Sequence, residues 1–158
     1  MKLSDISYGT TSAVITSLAI MIALSGTINS IVTIITALLI IAIADNISDS
    51  FGIHIYQESE AIAGKKIVKT TLSNFVSRLI VVAVFILLIL LFPINLAIIL
   101  SIIYGIAIIT IVSYYISKQQ KNSNMYGSIT KHILITIAVI IGSFILRELI
   151  AKYISKLF

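Results

Sequence analysis

The chain has 158 residues and a formal net charge of +5, and 59% of its residues are hydrophobic while only 11% are charged, against roughly 25% charged in soluble domains. Together with a mean hydropathy of +1.14, this excludes an ordinary soluble globule and points to one transmembrane domain in a lipid bilayer. Cysteine is absent, which excludes disulfides, thiolate zinc sites and thioether-linked haem; the basic residues fall in short gaps between apolar runs, where topology and anionic lipid account for them and no nucleic-acid partner is required.

A helix of about twenty apolar residues crosses the hydrocarbon layer. The first such run, "TTSAVITSLAIMIALSG" after Lys2, predicts a span at about 10–26; another run starts almost at once, so it reads as a retained helix and not a cleaved export signal. The turn "GTIN" leads into a second helix at about 30–63, with Asn29 or Ser30 placed to cap it. A third span is expected at about 70–92, and "FPIN" with the sole proline, Pro93, turns it tightly into a fourth at about 95–117. "SKQQKNSNMYGS" is the clear polar loop, and a fifth span is expected at about 129–151 with a basic tail. The expected fold is therefore an all-α integral membrane protein of five transmembrane helices, the second extending into the cytoplasm, over residues 1–158 with no soluble domain.

Basic residues favour the cytoplasmic side. A cytoplasmic N-terminus puts Lys2, Lys65, Lys66, Lys69, Arg78, Lys118, Lys121 and Lys131 inside and leaves Arg147, Lys152 and Lys156 with the C-terminus outside. The default location is a prokaryotic-style plasma membrane. Tyr8, Tyr114, Tyr115, Tyr126 and Tyr153 fall near expected helix ends, where an amphipathic ring suits the headgroup region.

The stretch "ADNISDSFGIHIYQESE", residues 44–60, holds four of the six acidic residues and continues straight out of the apolar run "IVTIITALLIIAIA". At 100° per residue, Ser48, Gly52, Tyr56, Asp49 and Glu60 all lie within about 60° of Asp45, as one polar stripe. Ionised aspartates inside a bilayer cost about 2.5–3.5 kcal/mol each on insertion scales and require water, a cation or a partner helix. Oxygen ligands with one imidazole suit a hard divalent cation such as Fe²⁺ or Mn²⁺, and the candidate metal ligands are Asp45, Asp49, Asn46, His54, Glu58 and Glu60. Two readings stand side by side: an ion site, or a helix that leaves the membrane with a solvated acidic end. Asp45 and Asp49, one turn apart, are suited to hold metal or proton, or to serve as a protonated contact between helices; Glu58 and Glu60 would gather cations at the mouth. Arg78 is expected to extend to the cytoplasmic headgroups in preference to pairing with the acidic stripe, and Gly105 and Gly142 to allow close helix contact.

"YGTTSAVITSLAIMIALSG", succeeded by the long second helix carrying "ADNISDSFGIHIYQESE" and three further spans, resembles the vacuolar iron transporter family. Gly9 and Ser12 match that family's first-helix motif, with Tyr8 where its aspartate stands; Ser48 and Gly52 match the second-helix motif, with Asp49 at its methionine position and Ile53 at its glutamate position. The resemblance implies a five-helix protomer, a homodimer with an ion path along the first two helices, and exchange of Fe²⁺ or Mn²⁺ against protons. It carries over Asp49 as a ligand. The family's cytoplasmic metal-binding helices have no counterpart, because "AIAGKKIVKTT" is too short to hold them.

The leading expectation is a divalent metal cation transporter with its path along helices one and two. The alternative is a non-transporting assembly or regulatory subunit whose acidic helix end binds a partner. No nucleophile–base set, phosphate loop or two-histidine zinc motif is visible, so an enzyme is not expected.

Overall fold

A computed structural model describes residues 4–26, 30–119 and 124–154. Lys2, Asn29, Lys121 and Lys156 lie outside the described residues. Five helices long and apolar enough to cross a membrane account for nearly all of the rest, and the described residues include no strand. We label them α1 (Ser4–Leu24), α2 (Ser30–Ser59), α3 (Gly64–Leu91), α4 (Ile94–Gln119) and α5 (Met125–Leu149, continued by a π-helical turn, Ile150–Ile154).

α1 is the hub and packs against each of the other four helices. Its Ala13, Val14, Leu18, Met21 and Ile22 are essentially unexposed. The outer helices present leucine, isoleucine and valine to their surroundings, among them Ile40, Ile80, Leu90 and Leu134. A water-soluble bundle could not carry that surface, whereas lipid tails are its natural solvent. Because lipid is as apolar as a leucine core, close packing and not apolar burial must hold the helices together. Glycine supplies that closeness at Gly105, where a Cβ would come 2.6 Å from Leu18 Cδ1. The matching expectation for Gly142 fails: nothing lies within 4 Å of a Cβ built there.

Two local departures from α-helical geometry shape α2. Residues Ile41–Asp45 form a π-helical turn, and the Asn46 N–H reaches back to the Ile41 carbonyl. A regular bond would have gone to Ala42; the Asn46 side-chain amide donates to that carbonyl instead, at 3.3 Å. The extra residue of a π turn rotates the later turns of a helix relative to the earlier ones, so the apolar first half and the polar second half of α2 are set at different phases. At its far end α2 closes with Ile62 N–H on Gln57 O at 3.2 Å and Ala61 N–H on Glu58 O at 3.0 Å. This is the Schellman pattern, whose left-handed position glycine usually fills; here Ala61 fills it, with φ 52°.

Only Glu60 to Ala63 separate α2 from α3. α3 begins at Gly64 and not near residue 70, because Lys65, Lys66 and Lys69 are good helix formers that extend the apolar span outward.

Candidate ion site in the bundle

The aspartates of α2 face a guanidinium. Arg78 of α3 is unexposed, and its two terminal nitrogens donate separately, Nη1 to Asp49 and Nη2 to Asp45. Nη1 also donates to Ser12 Oγ of α1 at 2.7 Å, and Ser12 Oγ in turn donates to Asp49 Oδ2 at 3.1 Å. The expectation that Arg78 extends to headgroups is thus corrected. A guanidinium with two carboxylates within reach gains more from ion pairs in a low-dielectric setting than from stretching outward. The two carboxylates differ in access: the Asp45 side chain is 42% exposed and that of Asp49 26%.

Three helices bring these groups to one depth. Counting from the bundle end that carries Leu24, Ser30 and Leu91, a rise of 1.5 Å per residue puts Ser12 about 18 Å, Arg78 about 20 Å and Asp45 about 22 Å along their helices. A hydrocarbon layer of about 30 Å then holds all three. Asp49, about 28 Å along, lies toward the opposite edge. The sequence carries this depth match, but not the rotation of α3 that turns Arg78 toward the aspartates.

A second polar knot lies beside the first. Asn46 is unexposed and donates to Phe75 O of α3 at 2.9 Å, while Ser50 Oγ donates to Asn46 Oδ1 at 3.4 Å and Asn74 Nδ2 to Ser50 Oγ at 3.2 Å. These bonds rivet α2 to α3 through amides and a hydroxyl and leave Asn46 engaged in protein contacts. Gly9 of α1 completes the packing: a Cβ there would stand 2.3 Å from Asn74 Oδ1 and 2.8 Å from its carbonyl oxygen. His54 lies one turn further along α2, with Nδ1 3.4 Å from Thr71 Oγ1. Glu58 and Glu60 are exposed at the end of α2. The structure therefore brings Asp45, Asp49 and Ser12 together, and leaves Asn46, His54, Glu58 and Glu60 in other surroundings. Among the described residues, no three His, Asp or Glu side chains are grouped so as to hold a metal ion.

Chemically, the site is a fixed cation shared by two carboxylates. Arginine keeps its proton at any physiological pH, so with both aspartates ionised the cluster carries one net negative charge. A proton would neutralise it; a divalent cation would occupy the carboxylates in the guanidinium's place. Asp49 also lines a cavity of about 470 Å³ between α1, α2 and α3, together with Ser48, Gly52 and Gln57.

Among the described residues, fold and site define an all-helical bundle of five helices long and apolar enough to cross a membrane, with a charged cluster shared by three of them. Comparison with protein-family models, with curated proteins and with solved structures finds no match.

Proposed function

We propose that the protein carries divalent metal cations, Fe²⁺ or Mn²⁺, across a membrane, with Asp45 and Asp49 as the exchange site and Ser12 as a further oxygen donor. The observation that carries this reading is the partial exposure of two carboxylates at hydrocarbon depth, one of them on a cavity wall; ionisable groups within membrane spans are costly and mark ion or proton pathways. Arg78 then acts as the resident counter-ion that holds the carboxylates together between ions. An arriving cation displaces the guanidinium from them, and a proton on either carboxylate releases the cation. The resemblance to the vacuolar iron transporter family supports the same choice of ion and a coupling to protons.

A homodimer fits this reading. Ser48, Gly52 and Tyr56 form an exposed stripe in line with Asp45, along the open side of the cavity between α1, α2 and α3. On the depth count above only the Asp45–Ser48 part of this stripe falls within the hydrocarbon, where a polar face is normally turned toward another helix or a water-filled space, and a second copy of α2 would supply both cover and further oxygen ligands. The proposed setting is a plasma membrane with the N-terminus cytoplasmic and the C-terminus outside.

One observation favours a second reading. Arg78 pairs with both aspartates across helices, an arrangement that equally suits a non-transporting assembly or regulatory subunit in which the cluster only locks three helices. Proteoliposomes containing the purified protein and an internal Mn²⁺-quenched dye separate the two. Transport predicts protein-dependent quenching, reduced about tenfold or more by Asp49→Ala. Quenching equal to that of protein-free vesicles would favour the subunit reading.

A further inference from the structure

A groove runs along the outside of the bundle between α2 and α3. It measures about 530 Å³ and is lined by these two helices alone, with Ile47, Phe51, Val68, Leu72 and Phe75 as apolar walls and His54 and Thr71 toward the end that carries Gly64. Ile47, Phe51, Val68 and Leu72 are exposed. Behind the groove the two helices are held together, where Asn46 donates to Phe75 O at 2.9 Å and Asn74 Nδ2 to Ser50 Oγ at 3.2 Å.

Counted from the end that carries Ser30 and Leu91, Phe75 and Ile47 lie about 24 and 26 Å along their helices, Thr71 about 30 Å and His54 about 36 Å. The hydrocarbon is about 30 Å thick and the headgroup layers bring the bilayer to about 40–45 Å, so the groove starts in hydrocarbon and ends among headgroups. Lysines stand at that end. Lys65, Val68 and Leu72 follow one another on the same side of α3, at spacings of one helical turn, and Lys69 is next to Val68. Lys65, Lys66 and Lys69 are exposed, and among the described residues none of them makes an ion pair. Lys69 lies about 33 Å and Lys65 about 39 Å along, and their long stems let the ammonium groups reach the phosphate level. Glu58 continues the α2 wall past His54, but at about 42 Å along it stands in water beyond the phosphates.

We propose that this groove binds a phospholipid with an anionic headgroup. An acyl chain lies along Ile47, Phe51, Leu72 and Phe75, and the phosphate is held by Lys65 and Lys69. His54 meets Thr71 Oγ1 through Nδ1 at 3.4 Å; its Nε2 has no protein partner among the described residues and is left for a phosphate or ester oxygen. Charge selects this occupant. Each lysine near the membrane surface raises the affinity for anionic lipid about fivefold, whereas a second copy related by an axis along the membrane normal would set the same lysines against one another. The groove lies on the side of α2 away from Asp49, which is turned about 160° from Ile47, so the lipid site stands whether or not the protein carries metal.

The chain contains no tryptophan, so a single introduced tryptophan reports its own surroundings without background. In reconstituted full-length protein, fluorescence quenching by phosphatidylglycerol and by phosphatidylcholine, each with brominated chains, gives the binding constant of the anionic lipid relative to the zwitterionic one. That ratio should be about tenfold or more at Ile47→Trp in the groove wall and about one at Ile103→Trp, which is exposed on α4 with no charged residue near it in its helix. Equal ratios at the two positions would overturn the site. So would failure of either lipid to quench Ile47→Trp, which would mean that protein covers the groove. Lys65→Gln with Lys69→Gln, both at exposed positions, should bring the ratio at Ile47→Trp down to that at Ile103→Trp, and an unchanged ratio would reject the lysines as the phosphate ligands and the proposal with them. No metal is used, so Mn²⁺ uptake with equal ratios would reject the lipid site and keep cation transport, and unequal ratios without uptake would do the reverse.

Discussion

The two arginines of the membrane-spanning helices, Arg78 and Arg147, each meet acidic side chains, and little else about them is alike. Arg78 is unexposed, joined to two carboxylates and a hydroxyl from two other helices. Arg147 is 30% exposed and pairs with its own neighbour Glu148 at 2.8 Å, while its guanidinium also lies 5.1 Å from the Phe144 ring centroid and donates to Ser25 Oγ at 3.2 Å. The contrast teaches that depth and chain separation, not the presence of an ion pair, decide what an arginine does here. A pair between sequence neighbours at a helix end constrains almost nothing beyond its own turn. A pair across three helices fixes their depth and rotation, and its parts cannot be removed singly without stranding charge.

The largest effect expected is therefore from Arg78→Leu, which leaves two carboxylates facing each other inside the bundle. It should cost about 3–5 kcal/mol, seen as a large drop in the thermal unfolding midpoint in detergent, and Asp45→Asn with Asp49→Asn on the same background should recover much of it. Failure of that recovery would mean that Arg78 acts through packing and not charge. Next comes Gly9→Ala, which drives a methyl group into Asn74 beside the cluster and should cost about 1–3 kcal/mol; Gly142→Ala, inside α5 with open space around it, is the control that should not lower the midpoint, since alanine is the better helix former. Smaller again, and of opposite sign, Ala61→Gly relieves the left-handed residue that closes α2 and should stabilise by about 0.5–1 kcal/mol in chemical denaturation. The smallest effect sharpens the comparison from its other side: Glu148→Ala removes Arg147's partner at a surface where such pairs contribute about 0–1 kcal/mol. A loss there as large as that of Arg78→Leu would erase the distinction between the two arginines.

The polar stretch of α2 also divides along this line. Its outer stripe of Asp45, Ser48, Gly52 and Tyr56 was legible from 100° periodicity, and Ser48, Gly52 and Tyr56 are exposed as that stripe requires. Its inner side, Asn46 and Ser50, read as one more set of polar residues until α3 supplied Phe75 O and Asn74 to bond them. His132, a single histidine early in an apolar helix, has no periodic partner on α5; its neighbours come from α1 and α4.

The amino-acid sequence by itself determined that the chain forms five apolar helices, where the tight turn at Pro93 falls, and that acidic groups enter the second span. Those are properties of local composition and period, and lipid enforces them because an unpaired backbone group in hydrocarbon is too costly to leave the helix as anything else. Only the tertiary structure decided that Arg78 turns inward to Asp45 and Asp49, that Ser12 bonds both Arg78 and Asp49, and that Asn46 is a rivet between helices. Each of those depends on the rotation and depth of one helix against another, set by close contacts such as Gly9 on Asn74 and Gly105 on Leu18, and no periodicity within a single helix encodes the phase of its neighbour.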